Sequence, residues 1–340
     1  MVGIACWLLG AAGFAGAAGA GLVAFTWWTA RRVEAALPPQ GRFIEVDGLR
    51  VHYVDEGVGP PIVMIHGLGG QIRNFTYALL APLSRRFRVI ALDRPGSGHT
   101  GRPHGKSATL DAQAKTVADL VRALNLERPL LVGHSLGGAI ALAVALNNPE
   151  SVGGLALIAP VTHPSDGIPK PFRRLVIKSV ILRWIVAWSV ATPLSILNTK
   201  SVLQALFGPD ATPPDFATKG GGLLGLRPRS FYATSTDLMA AVESMPNLMI
   251  RYPSLRIPVG ILFGTCDRIL DPAAHGTALV GKIPGLEIDL VEGGGHMIPI
   301  SSPRHAVRFV IRVARRMSRQ AHAEASLDRM AKRAPTGPSY

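Results

Sequence analysis

Residues 133–137 read Gly-His-Ser-Leu-Gly, directly after the apolar run Leu130–Val132 and before the helical pattern Leu136–Leu146. A serine on a sharp strand-to-helix turn presents its hydroxyl for attack on a carbonyl. Such a turn needs glycines two positions either side, because side chains there would collide across it. Ser135 is therefore the candidate nucleophile, in a strand–turn–helix context that a glycine-rich structural turn does not require.

A serine hydroxyl attacks only when a base removes its proton. Of ten histidines, His296 follows the last apolar run in Gly293-Gly294-Gly295-His296, a loop able to hold an imidazole over a sheet edge. His134 adjoins the serine on a turn that directs it away, His66 belongs to another loop, and His305 lies on the following helical pattern. The base needs a carboxylate to fix its tautomer and stabilise the imidazolium. Asp267 follows the run Val259–Phe263 through Gly264-Thr265-Cys266 and fits that place; Asp271 stands before Pro272 like a helix N-cap, and Asp166 is the other alternative. Acyl transfer further requires N–H donors for the developing oxyanion. The spacing offers the backbone of Leu136 and, from His66-Gly67-Leu68-Gly69-Gly70 after the run Ile62–Ile65, that of Leu68.

The elements that must position these groups follow from the apolar pattern. Arg42–Val46 and Arg50–Val54 alternate around Asp47-Gly48, a hairpin signal. Continuous apolar runs at Ile62–Ile65, Arg88–Leu92, Leu130–Val132, Leu155–Ile158 and Val259–Phe263 suit strands buried on both faces, while Leu286–Val291, with Glu287 and Asp289, suits an edge. Helical patterns at about Ala112–Leu124, Leu136–Leu146, Pro272–Ile283 and Pro303–Arg316 alternate with them, which predicts an α/β fold with a mostly parallel sheet flanked by helices. Between Val161 and Pro258 the alternation stops; this stretch predicts a helical cap, with Phe172–Val190 its clearest helix. The expected division is an anchor and linker over 1–41, core over 42–160 and 259–318, cap over 161–258 and a basic tail over 319–340.

Val2–Ala30 carries no charged side chain and ends at Arg31-Arg32, with Trp27 and Trp28 beside the boundary. Roughly 20 apolar residues span a bilayer, and indoles favour its interface. We expect an uncleaved N-terminal transmembrane helix, with the basic flank placing the catalytic domain on the cytoplasmic side. The net charge of +14 includes nine basic residues against two acidic ones from Arg304 onward, a solvated face or a second attraction to acidic lipid. No zinc-finger, RNA-binding or recognition-helix pattern accompanies it, so nucleic acid is not an expected partner. Two cysteines exclude a disulfide scaffold and a four-cysteine zinc site. A 48% hydrophobic, 17% charged composition excludes a largely disordered chain.

Over residues 42–316 the chain resembles the α/β-hydrolase superfamily. His66-Gly67, Asp93-Arg94-Pro95-Gly96-Ser97-Gly98, the Gly-His-Ser-Leu-Gly-Gly elbow, Asp267 and His296 stand in that family's order. The resemblance implies a Ser135–His296–Asp267 triad with Leu68 and Leu136 as oxyanion hole, and hydrolysis through an acyl-enzyme without metal or organic cofactor. Haloalkane dehalogenases and epoxide hydrolases of this fold carry an aspartate nucleophile, from which Ser135 departs. Carboxylic-ester hydrolysis of a small-molecule substrate is the favoured activity. Carbon–carbon bond hydrolases and cofactor-free haloperoxidases share the triad, and acyl transfer or a non-enzymatic binding role are the readings of another class. For the substrate site we expect Phe75, Trp184 and Trp188, with Leu175, Ile181 and Ile185, to wall an apolar pocket.

Overall fold

Eight strands form one sheet in the order β1-β2-β4-β3-β5-β6-β7-β8: β1 Arg42–Val46, β2 Leu49–Glu56, β3 Pro61–Ile65, β4 Arg88–Leu92, β5 Leu130–His134, β6 Gly154–Ile158, β7 Val259–Gly264 and β8 Glu287–Val291. This is a computed structural model that describes residues 2–103, 105–164 and 167–333. Asp47 and Gly48 both take positive φ, 51° and 68°, the two-residue turn that matches strand twist, and pair Val46 with Leu49. Strand β2 pairs antiparallel with both β1 and β4, and every other pairing in the sheet is parallel. Every residue of β5, β6 and β7 is buried, as continuous apolar runs require, whereas β8 pairs only with β7 and leaves Glu287 exposed.

Among the described residues there are eleven helices: α1 Val2–Ala36, α2 Arg73–Thr76, α3 Leu80–Ser84, α4 Leu110–Ala123, α5 Leu136–Asn147, α6 Val180–Trp188, α7 Ala191–Phe207, α8 Pro228–Met249, α9 Pro272–His275, α10 Ile298–Ser301 and α11 Pro303–Arg333. One sheet face carries α4, α5 and the core-facing side of α8; the other carries α2, α3 and α11. Helix α5 is apolar all round because it is enclosed all round, with ten of its twelve residues buried. The expected basic tail is not a separate piece up to Arg333, since α11 continues through it.

Two expected helices divide. Phe172–Val190 becomes a 3₁₀ turn at Lys170–Leu175 and a new helix, α6, begun where the Ser179 hydroxyl accepts the N–H of Leu182. Pro272–Ile283 shrinks to α9, because the chain turns at Gly276 into a 3₁₀ turn at Thr277–Leu279. Asp271 caps α9 through the Ala273 N–H at 3.0 Å.

The C-terminal end of α1 packs on the cap. Thr26 donates to the Ser189 carbonyl at 3.1 Å, Val33 and Leu37 pack on Leu224, and Glu34 faces Arg229 at 3.6 Å. Among the described residues no single helix is long and apolar enough to cross a membrane; α6 and α7 meet that test only as a pair bent by 76°. Most side chains of Val2–Ala15, on which the expected span largely falls, lie outside what is described.

Candidate active site

Ser135 joins β5 to α5 at φ 54° and ψ −120°, a conformation that costs a non-glycine residue about 1–3 kcal/mol. It is held by backbone bonds on both sides: its N–H donates to Ile158 at 3.0 Å, and its carbonyl accepts from Gly138 and Val161. The surrounding glycines are required by contact. A Cβ on Gly137 would stand 2.0 Å from the Ile65 carbonyl oxygen, and one on Gly67 2.9 Å from the Cβ of Ser135.

The structure brings Asp267 and His296 into direct contact at the carboxyl edge of β7 and β8. His296 Nδ1 donates to Asp267 Oδ2 at 2.7 Å, while Asp267 Oδ1 accepts the N–H groups of Ile269 and Leu270 at 2.8 and 3.0 Å. Burial alone raises a carboxyl pKa; here His296 and the two N–H donors outweigh it and hold Asp267 below the usual carboxylate range. Asp267 is thus an anion fixed from both oxygens, which sets Nδ1 as the protonated nitrogen and leaves Nε2 to accept a proton. His134, next to Ser135, packs its ring 5.0 Å from that of His296 and donates from Nε2 to the His296 carbonyl. Desolvation keeps His134 neutral, with a pKa down to about 3. The Ser135 hydroxyl makes no hydrogen bond to the imidazole in this conformation. Asp271 serves as the α9 cap, His305 lies on α11, and Asp166 is outside the described residues.

Leu68, Ser135 and Leu136 line one cavity of about 390 Å³. No acceptor among the described residues takes the N–H of Leu68 or of Leu136. Two free donors therefore flank the serine, one at the start of α5, where a helix has N–H groups to spare. The Leu68 loop is fixed from behind by a buried guanidinium. Arg94 donates to the His66 and Gly67 carbonyls at 2.9 Å each and to Asp237 of α8 at 2.8 Å, with Gln113 as a further acceptor. Asp237 also pairs with Arg102. His66 stands in the same support: its Nε2 accepts the Arg94 N–H, its Nδ1 donates to Gly67, and burial lowers its pKa to about 3.

The walls of the cavity are not the expected ones. Phe75 is fully buried on the opposite sheet face, among Ile72, Leu79 and Leu83. Trp184, Ile181 and Ile185 point outward from α6, and Trp188 sits beside Trp184, ring centroids 6.4 Å apart and tilted by 41°, rather than lining the cavity. The apolar walls come instead from Ile168 and Phe172 before α6 and from Leu238, Ala241, Val242 and Met245 of α8. The signal for α8 was present as a stripe, since Ala233, Asp237, Ala241, Met245 and Leu248 recur at helical spacing and are all buried. Asp237 is the one charge on that stripe, and so the mark of the Arg94 pair that the sequence reading missed. Among the described residues no cluster of three or more potential metal ligands occurs.

The alpha/beta hydrolase fold family matches residues 60–178, and an uncharacterized protein of Mycobacterium tuberculosis is 30% identical over 297 residues, 83% of either chain. The chain belongs to the alpha/beta hydrolase fold family. The haloalkane dehalogenase 2 of M. tuberculosis is 36% identical over 140 residues, 41% of this chain and 48% of that one. Among solved structures, a membrane phospholipase A described as a bacterial virulence factor superposes with a TM-score of 0.63 at 25% identity, covering 92% of this chain and 98% of its own.

Proposed function

We infer that this α/β hydrolase is a serine hydrolase of carboxylic esters with an apolar acyl group, tethered to a membrane by α1. The observation that carries the reaction is the pair of unclaimed N–H groups of Leu68 and Leu136 beside Ser135 in an apolar cavity. Donors placed where negative charge develops stabilise a tetrahedral oxyanion. Ser135 attacks the acyl carbonyl while His296 Nε2 takes its proton; the alkoxide that forms is held by the two N–H groups. His296 then protonates the departing alcohol, leaving an acyl-serine. Water, deprotonated by the same imidazole, attacks that ester and releases the acid and the free serine. Asp267 stays ionised throughout and stabilises the imidazolium.

Two features support the tether. The backbone of α1 is helical from Val2 to Ala36, and a Cβ built on Gly13, Gly16, Gly19 or Gly21 meets nothing within 4 Å, so this part stands clear of the folded body. At about 1.5 Å per residue, 20 such residues cover about 30 Å, one hydrocarbon thickness. Arg31 and Arg32 then cover the rings of Trp27 and Trp28, at 5.4 and 4.8 Å, where such a helix meets the headgroups. The phospholipase relative, matched almost end to end, is in keeping with both parts of this reading. The basic flank Arg31-Arg32 supports a cytoplasmic placement of the catalytic domain.

The test is hydrolysis of p-nitrophenyl esters from acetate to palmitate in detergent by the wild type and Ser135→Ala. Turnover that rises with acyl length and vanishes in the variant is expected. A folded wild type that cleaves none of the series, or a variant as active as the wild type, overturns the assignment.

A further inference from the structure

Helix α6 is built inside out. Its buried residues are Arg183 and Ala187, one turn apart, while Val180, Ile181, Leu182, Trp184 and Ile185 are exposed, Ile181 by 73%. A surface helix of a water-soluble domain shows the reverse arrangement. The inversion is fixed by specific bonds: Arg183 is 6% exposed, donates from Nε and Nη2 to the Ile177 carbonyl and from Nη1 to Thr236 of α8, and lies over the Tyr232 ring at 5.6 Å. The apolar side thus faces outward by construction. Helix α7 packs against α6 and exposes apolar side chains of its own, Leu194 and Leu197, the latter by 79%. An outward apolar patch of this kind marks an interaction surface.

Charge selects the partner. From Gly167 to Pro209 there is no aspartate or glutamate, and six basic residues occur: Lys170, Arg173, Arg174, Lys178, Arg183 and Lys200. Five of them are exposed around the apolar face, and the sixth is the buried arginine that orients it. Apolar side chains ringed by cations suit a phospholipid surface carrying negative charge. Position agrees, since α1 touches both α6 and α7, and the residue before Trp27 and Trp28, Thr26, bonds the carbonyl of Ser189 just after α6.

We propose that the outward face of α6 and α7 is a docking surface for an anionic phospholipid bilayer, by which the cap lies on the membrane. The 3₁₀ turn Lys170–Leu175, which leads into α6, carries both the basic pair Arg173-Arg174 and Phe172 of the cavity wall, so the docked cap brings the acyl cavity next to the lipid phase. The inference rests on the preceding section only in taking α1 as the tether; it does not depend on the reaction assigned there.

The experiment uses the full chain with Cys6 and Cys266 replaced by serine. An environment-sensitive nitrobenzoxadiazole label goes on Ile181→Cys, on Leu197→Cys or, as control, on Val58→Cys, which is 88% exposed in the loop between β2 and β3. The protein is reconstituted in phosphatidylcholine vesicles with and without phosphatidylglycerol. The expected result is blue-shifted emission and quenching by doxyl-labelled lipid at 181 and 197, stronger with phosphatidylglycerol, and neither effect at 58. Aqueous iodide quenching 181 and 197 as readily as 58 overturns the proposal. So does shielding that follows protein concentration and persists in detergent, because that places a second copy of the chain on the face. None of these readouts requires turnover, so an inactive protein leaves the test intact and failure of the ester assay is a separate result.

Discussion

Replacing Asp237 by asparagine removes the single anion shared by the fully buried Arg94 and the half-buried Arg102, and leaves its shape in place. Removing one partner of a buried ion pair costs about 3–5 kcal/mol, because the remaining charge is left unpaired. Gln113 and the two loop carbonyls still accept from Arg94, which favours about 3 kcal/mol, the lower end of that range. The kinetic consequence follows from what Arg94 holds. Its Nε and Nη2 fix the His66 and Gly67 carbonyls, so its release slackens the peptide that aims the Leu68 N–H. Loss of one oxyanion donor costs roughly 10²–10³ in kcat, and a loosened donor should cost about 10- to 100-fold. Steady-state kinetics on a p-nitrophenyl ester should therefore show kcat lowered with KM little changed, beside a lower midpoint in guanidinium at an unchanged slope. Arg102→Gln, which leaves the Arg94–Asp237 pair whole, serves as the control and should keep kcat near wild type. An Asp237→Asn enzyme with normal kcat, or with KM alone raised, refutes the view that α8 supports the oxyanion loop.

Gly67→Ala should fold but lose about 10²-fold in kcat, the scale for a displacement of the reacting group by 1 Å, since its Cβ would stand 2.9 Å from that of Ser135; an unaltered rate would contradict the contact. Leu238→Trp, at a half-buried position of the cavity wall, should move the preferred ester toward short acyl chains, read from kcat/KM across the series. Acid should unfold the protein early. His66 and His134 are desolvated and titrate at about 3, against about 6.5 in the unfolded chain, so the unfolded state binds more protons between those values. Their contribution is complete above pH 6.5 and falls by about 1.4 kcal/mol per histidine for each pH unit below it. Denaturation midpoints that do not drop between pH 6.5 and 4.5, or that drop equally in His134→Gln, would show that these histidines are not held neutral.

The groups proposed to react were legible because the chemistry assigned to them imposes local patterns. Ser135 needs glycines at fixed offsets, and Asp267 and His296 each need a loop at a strand end, so each leaves a mark within a few residues. The strands were legible because a run buried on both faces is apolar without interruption. The walls of the cavity were not, because an apolar residue on a helix says nothing about what it faces. Trp184 and Trp188 were read as wall on hydrophobicity alone, whereas the buried charge of Arg183 turns that helix over. Phe75 lies close to the oxyanion loop in sequence, but α2 belongs to the opposite layer. The Arg94–Asp237 pair joins residues 143 apart and has no local signature beyond one acid on an apolar stripe.

The backbone angle at Ser135 has a consequence for the history of such a chain. A left-handed serine in the centre of the sheet holds roughly 1–3 kcal/mol that glycine at the same position would release. Thermostability alone therefore favours replacing the side chain proposed to attack. A lineage freed from turnover would be expected to drift toward an inert, firmer protein of the same shape.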